Sequence, residues 1–280
     1  MQTKAIHSQR SSHAAEVRGG ARFEFGANWS RFLRLLDEDR IRAAEDSLRS
    51  MLHLDSLAGR RFLDAGSGSG LFSLAARRLG ARVHSFDYDP RSVACTRELK
   101  HRYFRDDDSW TIDEASVLDA AYLRSLGTFD VAYSWGVLHH TGAMWQALEN
   151  IDVTVAPKGR LFIAIYNDQG YASRYWLRIK RTYVRYPLLR WPLLAMHVPY
   201  PVLPYFVVRA LGRGPKQGRG MSLWYDLIDW LGGYPFEVAK PEQLFRFYRD
   251  RGYLLVEMRT TLRLGCNELV FERAAAEPGA

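Results

Sequence analysis

Apolar and polar positions alternate along this chain in two distinct rhythms. From Leu36 to Leu54 the apolar residues Ile41, Ala44, Leu48, Met51 and Leu52 recur at helical spacing, which predicts a helix. Before it, residues 22–36 carry aromatics and then a helical start, with Asn28 or Ser30 as its cap. The rhythm then shortens. Arg61–Asp64 reads as a strand running into a glycine turn, and Leu71–Leu79 as an apolar helix ended by Gly80. Arg82–Phe86 is a second strand, ending at Asp87. Pro90 opens a helix to about Phe104. Strands follow near Trp110–Ile112 and Phe129–Ser134, then a helix over about 143–155 and a turn at Pro157-Lys158-Gly159. The run Arg160–Tyr166 is apolar enough for a central buried strand. Pro241–Asp250 is a helix, and Tyr253–Met258 and Cys266–Phe271 are strands with no helix between them, expected to pair antiparallel.

Strands alternating with helices predict an α/β, doubly wound, seven-stranded and mostly parallel sheet. The chain divides into a flexible polar tail over 1–20, a helical segment over 21–57, and a core over 58–169 and 239–274. A helical, aromatic and basic cap over 170–238 is inserted after the fifth strand. With 47% apolar residues in 280, a full core is affordable. Cys95 and Cys266 are too few for a disulfide framework, and no metal-ligand spacing links them. The N-terminus has no apolar signal-like stretch and no run is long enough for a simple spanning helix, so a cytoplasmic protein is expected. The net charge of +8 is local. Ten basic residues and no acidic one fall between Tyr171 and Gly220, leaving 29 basic residues against all 31 acidic ones elsewhere.

The candidate chemistry begins at Asp64-Ala65-Gly66-Ser67-Gly68-Ser69-Gly70. A glycine turn between strand and helix lets backbone approach a nucleotide, with free N–H groups at the helix start. The dinucleotide pattern requires a glycine where this chain has Leu71. Asp87, 21 residues beyond Gly66 at the end of the next strand, sits where a carboxylate accepts ribose hydroxyls. Asp64 either orients the turn or meets the amino-acid end of a cofactor. Leu63–Gly70 resembles motif I of the class I S-adenosylmethionine-dependent methyltransferases. Phe86–Pro90 resembles their ribose-binding acidic loop, and Phe129-Asp130 to His140 and Leu148 to Ala164 resemble the following motifs. The likeness covers about residues 58–166. It implies the Rossmann-like methyltransferase fold and S-adenosyl-L-methionine as cofactor. Gly66, Ser67, Gly68 and Gly70 would lie at its methionine part, Asp87 at the ribose and Tyr88 beside the adenine. Ser116 and Val117 would face the adenine, and Ser134 and Trp135 the methionine end. Phe23–Trp29 resembles a segment that closes over the cofactor, which brings in Trp29. The other reading of that segment is a helix packing its aromatics on the core.

Methyl transfer is an in-line displacement that needs alignment and exclusion of water. An oxygen nucleophile also needs its proton removed. His139 and His140 follow the fourth strand and are the candidate bases; the alternative is a structural loop. Tyr166 and Asn167, beyond the fifth strand, with Tyr175 and Tyr225 in the cap, are candidate acceptor-binding residues. Asp168 either orients an acceptor or caps a helix. Asp226 and Asp229 either face the acceptor or answer the cap's basic residues. The expected acceptor is a small molecule or glycan-like compound methylated on O or N, with an anionic one suggested by the basic cap. RNA methylation and non-catalytic cofactor binding are the alternatives, and no metal is expected. The cap reads as a lid, with self-association, peripheral lipid contact and, third, nucleic acid as its other uses.

Overall fold

The computed structural model describes residues 13–197 and 230–275. Seven strands form one sheet: β1 (Arg61–Ala65), β2 (Arg82–Asp87), β3 (Trp110–Glu114), β4 (Phe129–Trp135), β5 (Val155–Tyr166), β6 (Tyr253–Arg259) and β7 (Cys266–Arg273). Their order is β3-β2-β1-β4-β5-β7-β6. The first five are parallel, and β7 slots antiparallel between β5 and β6. The expected class is the one found. Strand order reverses between β1 and β4, and the crevice at their carboxyl ends is where an open α/β sheet binds ligands.

The period of two puts neighbours on opposite faces. Phe62 and Phe162 join Leu48, Met51, Leu74 and Leu99 under α3 (Glu38–Leu52), α4 (Leu71–Arg78) and α5 (Pro90–Tyr103). Leu63, Leu161 and Ile163 join Leu123, Leu148, Leu244 and Tyr248 under α6 (Ala120–Ser125), α7 (Met144–Asp152) and α10 (Pro241–Arg249). Each fully buried side chain of this kind contributes roughly 1.5–3 kcal/mol. A third cluster, Trp176, Tyr183, Val184, Leu194, Leu231 and Phe236, belongs to the described part of the cap. There α8 (Tyr171–Arg185) and α9 (Arg190–His197) flank a turn at Pro187–Leu189.

Three boundaries differ from expectation. First, residues 13–18, placed in the tail, form a helix, α1. Glu16 holds it down by accepting from Arg22 Nε and Tyr88 Oη. Second, α2 (Gly26–Phe32) has neither Asn28 nor Ser30 at its cap, because both lie inside it. Its first N–H donates to Asp89 Oδ2 at 2.8 Å, a cap supplied from 63 residues away. Third, β5 begins at Val155. The Pro157-Lys158-Gly159 turn survives as a slip in register inside the strand: Phe129 pairs with Val155, but Val131 pairs with Arg160. Helix α6 was not predicted. It has six residues, too few for periodicity, and exists on the strength of Asp119, whose Oδ1 accepts from Ala121 and Tyr122 N–H.

Candidate active site

The turn after β1 is shaped by what surrounds it. Gly66 has φ +84°, and a Cβ there would lie 2.4 Å from Val137 Cγ1, so the chain after β4 rests directly on it. At Gly68, φ +55°, a Cβ would meet the Trp29 indole at 3.1 Å. Trp29, carried by α2, therefore covers the turn. Ser67 is buried and shares a 2.9 Å hydrogen bond with Thr96 of α5, while Gly70 starts α4 in the left-handed region.

Two carboxylates anchor the turn. Asp64 is buried beneath it and accepts from Ser73 Oγ; Ser73 bonds Ser85 at 2.7 Å, and Ser85 accepts from Trp110 Nε1 at 2.9 Å. Of the two roles open to Asp64, this network supports orientation. Burial pushes its carboxyl up to about 7, against the opposing hydrogen bond from Ser73. Asp87 accepts from Gly68 N–H on Oδ2 and Asp89 N–H on Oδ1, both at 2.9 Å. Burial pushes it up to about 6 despite these two donors. Each carboxylate oxygen retains a second lone pair, the acceptor set that a vicinal diol requires.

The segment before α3 crosses this whole edge. Gly20 lies against the backbone of Val184 and Arg185, Phe23 N–H donates to Tyr234 O at 2.9 Å, and the Phe25 ring packs at a tilt on His140 with centroids 5.0 Å apart. Arg22 joins the two ends of the site. Its guanidinium lies over the Tyr88 ring, and Nη1 donates to His140 O at 2.8 Å. Asp89 caps α5 with Oδ1 and the start of α2 with Oδ2. Neither Arg22 nor Asp89 was singled out from the sequence. An Asp before Pro90 signals one cap, but nothing in the sequence signals the second.

His139 and His140 lie together on a short turn after β4, with ring centroids 4.5 Å apart. His139 is fully buried, packs on Tyr166 at 4.0 Å and accepts Tyr166 N–H on Nδ1. Burial, with His140 and Lys180 nearby, holds its pKa well below the usual value. His140 Nδ1 makes a 2.6 Å hydrogen bond with the Pro235 carbonyl. A carbonyl only accepts, so Nδ1 carries the proton and Nε2 the lone pair. Burial pushes His140 down to about 3, with Lys180 and Arg22 adding to it against the Pro235 bond. Tyr166 meets His140, Trp230 and Phe236 at 5.3–5.6 Å, and Lys180, fully buried, places its ammonium over the Trp230 and Phe236 rings.

The remaining candidates are dispersed. Ser134 is enclosed, donating to Ala65 O at 2.8 Å, and so ties β4 to β1. Trp135 Nε1 donates to Glu268 on β7. Asn167 is spent on Thr261 O and Asn267, which lock the end of β5 to the loop before β7. Ser116 caps its own turn through Leu118 N–H, and Val117 is buried with its carbonyl held by Asn150. Asp168 accepts from Gly170 N–H just before α8. Tyr175 bonds His197 within the cap at 2.9 Å. Tyr225, Asp226 and Asp229 lie outside the described residues.

Among solved structures, magnesium protoporphyrin IX methyltransferase from Synechocystis PCC 6803 superposes with a TM-score of 0.53 at 16% identity, over 89% of this chain and 94% of that one. An O-methyltransferase family protein from Burkholderia thailandensis gives 0.53 at 16%, over 85% and 58%. At such identities the likeness is one of fold. In sequence, tRNA U34 carboxymethyltransferase of Chromohalobacter salexigens is 31% identical over 43% of this chain and 36% of its own length. Ubiquinone biosynthesis O-methyltransferase of Methylocella silvestris is 32% identical over 40% and 41%. The chain thus spans less than half the length of these relatives. A family model described as a methyltransferase domain matches residues 36–213. With well over half of the chain inside that match and the class I sheet order around the glycine turn, the chain belongs to the methyltransferase-domain family.

Proposed function

We propose that this protein transfers the methyl group of S-adenosylmethionine to an oxygen or nitrogen of a small-molecule or glycan-like acceptor. The observation that carries the reading is the junction of two half-sites at one sheet edge. The glycine turn with Asp87 lies on one side and the packed His140–Tyr166 ring cluster on the other, with Val137 resting on Gly66 where the chain leaves β4 for His139 and His140. The donor set fits the cofactor: Asp87 would hold the ribose hydroxyls, the turn from Gly66 to Gly70 the methionine part, and Trp29 would cover it. When bound, that group supplies an electrophilic methyl carbon on a sulfonium sulfur. The chain's own contribution is alignment and exclusion of water. Phe25, Tyr166, Trp230 and Phe236 supply the apolar surroundings of His140, Phe25 and Tyr166 by direct ring contact and the other two through Tyr166. His140 presents an unprotonated Nε2 that accepts a hydrogen bond from the acceptor's O–H or N–H and orients its lone pair. With its pKa near 3 it remains neutral across the physiological range and positions the nucleophile more than it stores a proton.

The tRNA-modifying relatives and the basic cap favour a second reading, an RNA acceptor. Incubating the full chain with methyl-labelled S-adenosylmethionine, separately with cellular metabolites and with total RNA, decides between them. Label in the metabolite fraction is expected. His140→Ala should lower kcat about 100-fold while leaving cofactor affinity unchanged. Label confined to RNA overturns the small-molecule reading.

A further inference from the structure

The cap has an outer face that methyl transfer does not use. Helix α8 buries Ser173, Trp176, Lys180, Tyr183 and Val184. Its opposite side carries Arg174, Arg178, Arg181 and Arg185, at successive spacings of four, three and four, so they form one ridge. Several arginines elsewhere do meet acids: Arg78 meets Glu38 and Glu45, and Arg160 meets Glu272. On the ridge none has an ion pair among the described residues; Arg174 and Arg185 rest only on the rings of Tyr171 and Tyr186. Like charges at these spacings destabilise a helix, and α8 has no acidic residue in its first turn to offset them. No Asp or Glu occurs from Tyr171 to Gly220.

Beyond the ridge the chain turns a corner, and apolar side chains there face outward. Leu188 is 92% exposed, Trp191 73% and Met196 58%, and at the start of the ridge Tyr171 is 77% exposed. We propose that this face docks on an anionic lipid surface, with the arginines against headgroup phosphates and Leu188 and Trp191 entering the interface. A basic ridge beside outward aromatic and aliphatic residues is the composition of a monotopic contact. RNA would stack on the aromatics but gains nothing from Leu188 or Met196. A second copy would bring one arginine ridge against another. No helix among the described residues is long and apolar enough to cross a membrane, which fits a surface contact. The proposal is independent of the methyl acceptor.

The test is sedimentation of the full chain with vesicles of phosphatidylcholine alone, or with about a third phosphatidylglycerol. Partition onto the anionic vesicles should be at least about tenfold stronger and should fall steeply with salt. Arg174→Ala with Arg178→Ala should weaken it by roughly tenfold or more. Leu188→Ser with Trp191→Ser should weaken it comparably while leaving the melting temperature unchanged. Equal partition onto both vesicles, no partition, or variants that behave as the parent overturn the proposal. So does an RNA oligonucleotide that displaces the vesicles and binds the Leu188→Ser, Trp191→Ser variant as tightly as the parent.

Discussion

The glycine-turn edge and the outer face of the cap handle charge and apolar surface in opposite ways. At the turn, every charged group is held: Asp64 by Ser73, Asp87 by two N–H groups, Asp89 by two helix starts. On the cap, four arginines stand in a row with no ion pair among the described residues, and Leu188 and Trp191 face outward. The first pattern suits a small ligand that must be positioned to a fraction of an ångström. The second suits a broad, soft partner recognised by charge and hydrophobicity. The difference is one of tolerance, and substitutions should reveal it.

The largest effect is expected at Gly66. In Gly66→Val the Cβ would collide with Val137 and the residue would have to keep φ +84°. A loss of about 3 kcal/mol or more in urea unfolding is expected. Gly252→Ala is the control: φ is +79°, but nothing lies within 4 Å of the new Cβ, so a loss of about 1–2 kcal/mol should follow from backbone strain alone. Equal losses at both sites would mean that the turn is not tightly packed.

Asp64 should give a comparable, pH-dependent effect. Its carboxyl titrates near 7 in the fold and near 3.8 unfolded, so the folded state binds more protons between those values. The stability of the buried neutral form is complete below about pH 4 and is lost as pH rises through 7. Asp64→Asn removes that titration. It should gain on the parent by about 4 kcal/mol between pH 4 and pH 8 in thermal unfolding, about 1.4 kcal/mol for each pH unit between the two values. A constant difference across that range would contradict a buried, raised carboxyl. The histidines act with the opposite sign: His140, lowered to about 3, costs stability as pH falls from 6.5. The smallest effect belongs to the cap, where Leu188→Ser and Trp191→Ser should each change unfolding free energy by under about 0.5 kcal/mol.

What the sequence made legible follows the same division. The alternation Phe62/Leu63 and Leu161/Phe162 announces a sheet covered on both faces, and the spacing of Gly66, Gly68, Gly70 and Asp87 marks the edge proposed to bind the ligand. Both signals are local, within a strand or one strand–helix–strand unit. The second cap from Asp89, the bridge by Arg22 and the burial of Lys180 arise from contacts between segments 50 to about 120 residues apart, and no local pattern encodes them. Ser134 and Asn167 show the converse. Their positions at strand ends suited a ligand, but such ends also supply hydroxyls and amides that lock neighbouring strands, and there the fold uses them.

The central claim is that this sheet edge binds S-adenosylmethionine through Asp87. Isothermal titration calorimetry of the full chain with S-adenosylmethionine tests it most directly. The account predicts one-to-one binding that weakens about 100-fold or more in Asp87→Ala, since two charge-assisted hydrogen bonds are lost, while the folded far-ultraviolet spectrum is retained. No binding by the parent, or equal binding by Asp87→Ala, would contradict it.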